Sequence, residues 1–156
     1  MITAPAEGLN NLTIQMNSAD FKYSFEQKFT FDIDNTPPQI LSISPCTTSF
    51  NFTTLKSSNP VSISFTDKAC SGYCYSSIQY HFNSLPITTI DLSTYQATIQ
   101  KMDLGTIPVE PTGYISNLTV QITDIAKNVQ LITYSYIIDN TAPELLSSNV
   151  NNNIIV

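Results

Sequence analysis

Apolar and polar residues alternate through most of residues 37–140, with the two-residue period of a strand that has one face on a core and one in water. Val61, Ile63 and Phe65 alternate with Ser62, Ser64 and Thr66; Ile78, Tyr80 and Phe82 alternate with Gln79, His81 and Asn83; Tyr95, Ala97 and Ile99 alternate with Gln96, Thr98 and Gln100. Farther on, Leu118, Val120 and Ile122 alternate with Thr119, Gln121 and Thr123, and Ile132, Tyr134, Tyr136 and Ile138 repeat at every second position. Leu41 and Ile43 add a first strand and residues 87–92 a short one, which makes seven between residues 37 and 140. Asn59-Pro60, Ser71-Gly72, Pro108, Pro111 and Gly113 punctuate the runs. No segment carries the 3.6-residue period of an amphipathic helix. The pattern predicts an all-β chain built on an immunoglobulin-like β-sandwich.

The pattern also repeats. Residues 29–44 read FTFDIDNTPPQILSIS and residues 134–149 read YSYIIDNTAPELLSSN. Asn35 and Asn140 lie 105 positions apart, as do Pro38 and Pro143, and NLTIQM at 11–16 matches NLTVQI at 117–122. A period of about 105 is the length of one β-sandwich unit. Residues 1–36 are therefore expected to be the last two strands of a preceding unit, 37–140 a complete unit, and 141–156 the first strand of a following one. The apolar rows at the two ends (Phe29, Phe31, Ile33; Leu145, Leu146) need partners from outside. Either the chain is a piece of a longer protein or other copies complete it by strand addition.

Composition narrows the class. Of 156 residues 42% are apolar, enough for one good core, while only 12% are charged and none is arginine. A net charge of −6 argues against nucleic acid and against an anionic membrane surface. No run of 18 apolar residues exists to span a bilayer as a helix. The Ser/Thr/Asn-rich surface suits an extracellular or cell-surface protein. Asn11, Asn51 and Asn117 each begin an N-glycosylation triplet. Cys46, Cys70 and Cys74 are an odd count; a disulfide between Cys70 and Cys74, or between Cys70 and Cys46, competes with free thiols and with a weakly matched metal site.

Three short motifs in order resemble bacterial-type Ig-like repeats, of the kind grouped with Big and cadherin-like modules. Val61-Ser-Ile-Ser-Phe-Thr-Asp67 with Cys70-Ser-Gly72 resembles their second strand and the loop after it. Thr123-Asp-Ile-Ala-Lys-Asn128 resembles their turn between the last two strands, and Asp34-Asn-Thr-Pro-Pro38 and Asp139-Asn-Thr-Ala-Pro143 resemble their inter-domain linker. Lys127 stands where those repeats carry glycine, so the turn must accept a side chain there. The resemblance implies placement on a surface, in adhesins, surface layers or enzyme accessory modules, without fixing the task.

The strand order expected of such a sandwich brings the linker, the loop after Asp67 and the last hairpin turn to one pole. Asp34, Asn35, Asp67, Asp124 and Asn128 would then meet there, and calcium takes six to eight such oxygens. The plainer alternative is that each Asp or Asn bonds its own turn. Lys68 and Lys127 lie beside these residues and would repel a cation. His81, the only histidine, has no visible catalytic partner. Tyr114 reads equally as a tyrosine corner or a surface residue. The eight tyrosines and eight phenylalanines fall mostly on inward rows, and the lack of tryptophan weakens a glycan-stacking platform.

The expectation is a non-enzymatic structural spacer of an adhesin, fibre or surface coat, partnered by neighbouring Ig-like repeats or other copies. The prolines of Thr-Pro-Pro and Thr-Ala-Pro restrict the joints and favour a stiff string. The alternatives are a recognition module for a glycan or protein, an accessory domain of a secreted enzyme, and a self-assembling filament subunit completed by strand exchange.

Overall fold

The computed structural model describes residues 5–45, 53–68, 74–83, 85–96 and 98–144. All regular structure among them is β: β1 (Gly8–Asn17), β2 (Ser24–Ile33), β3 (Gln39–Ser44), β4 (Thr53–Leu55), β5 (Pro60–Thr66), β6 (Tyr75–Phe82), β7 (Thr88–Asp91), β8 (Gln100–Thr106), β9 (Ile115–Asp124) and β10 (Val129–Ile138).

The strands from β3 onward make two sheets, in the orders β4-β10-β9-β6-β7 and β3-β5-β8. Their inner rows are the alternating residues of the sequence. Ile43, Val61, Ile63, Phe65, Met102 and Leu104 share one buried cluster with Ile78, Phe82, Leu118, Val120, Ile122, Tyr134, Tyr136 and Ile138. Phe65 and Tyr75 meet edge to face at 5.0 Å inside it. Aliphatic and aromatic rows closing on each other in this way remove most of their surface from water, the main favourable term in folding.

Three sequence expectations shift. The strand read over Tyr95–Gln100 lies later: β8 runs Gln100–Thr106, Met102 and Leu104 point inward, and Ile99 is exposed. Alternation alone could not choose between adjacent runs of equal period. A bulge between Ile40 and Ser42 adds a residue to β3, so Ile40 packs on the core and Leu41 is exposed. β4, too short to show a period, is not among the seven strands expected between residues 37 and 140, where the described residues hold eight; it pairs parallel with β10.

β1 and β2 form a separate antiparallel hairpin. Its register repeats that of β9 and β10: Leu12 lies opposite Phe29 as Leu118 lies opposite Tyr134, and Ile14 opposite Gln27 as Val120 opposite Ile132. One hairpin face is almost wholly apolar, with Leu12, Ile14, Met16, Phe25, Phe29 and Phe31, and all six are exposed. The other face carries Asn11, Thr13, Gln15, Glu26, Lys28 and Thr30.

The turn from β9 to β10 holds Lys127 at φ 77°, the left-handed region that glycine prefers, where the lysine side chain stays exposed. The Tyr114 side chain is exposed, a surface residue at the opposite pole.

Candidate functional site

β3 and β5 pair through Gln39 and Thr66, and β6 and β9 pair through Tyr75 and Asp124. The linker before β3, the end of β5 and the β9–β10 turn therefore share one pole, where residues 34–38 lead in from the hairpin. There the carboxylates of Asp34, Asp67 and Asp124 approach so that one oxygen of each lies within 4.8 Å of the others. Asp67 and Asp124 are buried and Asp34 half-buried.

Turn chemistry fixes Asp34 and Asp124. Asp34 Oδ1 accepts the backbone N–H of Thr36 at 3.0 Å. Asp124 Oδ1 accepts the backbone N–H of Asn128 at 2.8 Å, and its Oδ2 accepts the Asn128 side-chain amide at 2.8 Å. The same Asn128 amide donates to the backbone carbonyl of Asp34 at 2.9 Å. Asn128 thus ties the linker to the sandwich as a donor. Asn35 is exposed and gives its backbone N–H to the Glu7 carboxylate at 3.3 Å. Glu7 also accepts the Thr36 hydroxyl.

The electrostatics follow from this crowding. Burial raises the Asp34 pKa above its ordinary value, the Thr36 hydrogen bond opposes the rise, and the charges of Asp124, Glu7 and Asp32 add to it. Tyr75 sits beside the cluster; burial and then the Asp67 carboxylate push its pKa up to about 12. Lys68 lies across a shallow hollow from Glu7, Gly8 and Thr36.

Of the five residues placed at this pole from sequence, three converge through carboxylates, Asn128 joins the Asp124 carboxylate to the Asp34 backbone carbonyl, and Asn35 is exposed. Sequence reasoning missed Glu7 and Tyr75. Glu7 gave no signal, because its contact with residues 35 and 36 depends on the hairpin register, and Tyr75 lies out of phase with the row of Ile78, Tyr80 and Phe82. His81 sits half-buried on the outer sheet row opposite Thr119, with Nδ1 2.7 Å from the Asn83 carbonyl.

The exposed Asn11 accepts a hydrogen bond from Thr30, and the exposed Asn117 accepts one from Ser135. Asn51, Cys46 and Cys70 lie outside the described residues, as do Leu145 and Leu146 and most of the expected following strand. Cys74 is disulfide-bonded.

Comparison with protein-family models, with curated proteins and with solved structures finds no match to this chain.

Proposed function

We propose that the chain is a stretch of a tandem array of immunoglobulin-like sandwiches that serves as a non-enzymatic spacer in an extracellular or cell-surface protein. The observation that carries this reading is the correspondence between the two hairpins. Leu12, Ile14, Met16, Phe29, Phe31 and Ile33 match Leu118, Val120, Ile122, Tyr134, Tyr136 and Ile138 at a constant spacing in each strand. The second set is buried under β3, β5 and β8, whereas the first is exposed or only half-buried. An apolar sheet face of that size marks a surface awaiting a partner, and a lone hairpin is marginal in water. A preceding unit that supplies its own β3-, β5- and β8-like strands accounts for both facts.

The strand orders support the immunoglobulin-like topology, with β10, β9 and β6 in one sheet and β3, β5 and β8 in the other. The Cys74 disulfide supports an oxidising compartment. Small-angle scattering on a three-unit chain tests the spacer role. Stiff units give a maximum dimension that grows in proportion to their number; broad, compact dimensions would remove the basis for a spacer.

A second reading adds calcium at the entry pole, favoured by the mutual approach of the Asp34, Asp67 and Asp124 carboxylates. Three carboxylates with nearby backbone carbonyls and water supply the hard oxygen set calcium takes. Melting of the full chain with EDTA and with millimolar calcium separates this reading from one in which the aspartates serve only their turns.

A further inference from the structure

The two Asp-Asn-Thr linkers are built alike, yet only one of them is docked. At the first, Asp34 accepts the Thr36 N–H at 3.0 Å and Glu7 accepts the Asn35 N–H at 3.3 Å together with the Thr36 hydroxyl. At the second, Asp139 accepts the Thr141 N–H at 2.9 Å, and Thr112 accepts the Asn140 N–H at 3.1 Å and the Thr141 hydroxyl at 3.4 Å. Glu7 and Thr112, Asn35 and Asn140, and Thr36 and Thr141 each lie 105 positions apart. Gly8 and Gly113 share that spacing, and both hold positive φ, 99° and 82°. Asn140 is braced further, its amide donating to the Ser57 hydroxyl at 3.1 Å and the Glu110 carbonyl at 3.0 Å. The second linker is therefore already shaped and held before anything docks on it.

Its surroundings differ. Asp34 and Thr36 are half-buried and Pro38 is buried, because the first linker rests on the pole of Asp67, Asp124 and Asn128. Their counterparts Asp139, Thr141 and Pro143 are all exposed.

We infer that the exit pole, formed by residues 112–114 and 139–143, is a preformed half-joint that receives the entry pole of a following sandwich in the same polypeptide. The partner's chemistry is set by the occupied example. It presents a side-chain amide to the Asp139 carbonyl and a pair of buried carboxylates beside the Asp139 side chain, as Asn128, Asp67 and Asp124 do for Asp34. A second free copy of this chain does not fit, since its own linker already covers its entry pole. The inference rests on the tandem reading and adds to it a fixed angle between units.

The test is a chain in which residues 1–143 are followed directly by residues 39–156, which keeps the natural exit linker. Residual dipolar couplings are measured on both sandwiches. A single alignment tensor for the two is the expected result. A three-glycine insertion after Thr141 then splits it into two, and so does Asn128→Ala in the second sandwich. Two independent tensors from the parent chain, with both sandwiches folded, overturn the half-joint and leave the tandem reading standing. A tensor still shared after the glycine insertion also overturns it. Failure of the second sandwich to fold behind residue 143 overturns the tandem reading and the half-joint together.

Discussion

Asn128 donates its side-chain amide to the backbone carbonyl of Asp34, 2.9 Å away and 94 positions earlier in the chain. The same amide reaches the buried Asp124 carboxylate. Asn128→Ala leaves a buried carboxylate short of a donor, which costs about 1–3 kcal/mol. The urea midpoint should fall by the corresponding amount at constant slope. An unchanged midpoint would show that the linker is not held by this contact.

The pH dependence of the linker has a definite sign. Burial and neighbouring carboxylates raise the Asp34 pKa in the folded state. Between the unfolded and folded values the folded state holds more protons, so stability falls as pH rises through that window and stays lower at neutral pH. In calcium-free buffer, Asp34→Asn keeps the acceptor for Thr36 and removes the charge. Its melting temperature should exceed the parent's at neutral pH, with the gap closing below pH about 4, near the ordinary aspartate value.

Calcium would invert that comparison. If the three carboxylates hold the ion, calcium at a hundred times its Kd adds about 2.7 kcal/mol to the folded state, and Asp67→Asn or Asp34→Asn abolishes the gain. Equal melting in EDTA and in millimolar calcium would leave the aspartates to their turns.

Lys127 occupies a left-handed position at φ 77°. A side chain there costs roughly 1–2 kcal/mol, part of which glycine gives back through the entropy of the unfolded chain. Lys127→Gly is therefore expected to stabilise the chain by about 0.5–1 kcal/mol, seen as a higher denaturant midpoint. A lower midpoint would mean that the lysine makes a compensating contact.

Leu12 and Leu118 hold corresponding places in the two hairpins, yet Leu12 is 49% exposed and Leu118 fully buried. Leu118→Ala should cost about 2–5 kcal/mol, whereas Leu12→Ala should cost less than about 0.5 kcal/mol. In a chain extended by one complete preceding sandwich the two costs should become equal. Persistent indifference of Leu12 in the longer chain would break the correspondence on which the tandem reading stands.

The legible parts of the fold were those with long, regular alternation. Val61–Phe65, Leu118–Ile122 and Tyr134–Ile138 lie where the pattern put them because a one-residue slip would turn each row into water. The bulge at Ile40 and the displacement of the β8 strand were illegible, since both change register without changing composition. β4 was invisible because its three residues gain their place from the edge of β10. At the entry pole, turn residues named Asp34, Asp67, Asp124 and Asn128 from sequence, while the contact of Glu7 with Asn35 and Thr36 depends on a hairpin register that single residues do not encode.

The parallel pairing of β4 with β10 has a mechanical consequence. The chain enters one sandwich at the start of β3 and leaves it at the end of β10, at opposite poles. Tension on those ends slides β3 lengthwise along β5 and β4 lengthwise along β10, so the rungs between each pair are loaded together instead of being peeled one at a time. Among the described residues, three pairs, Thr53 to Leu55 with Tyr136 to Ile138, join β4 to β10 and share that load.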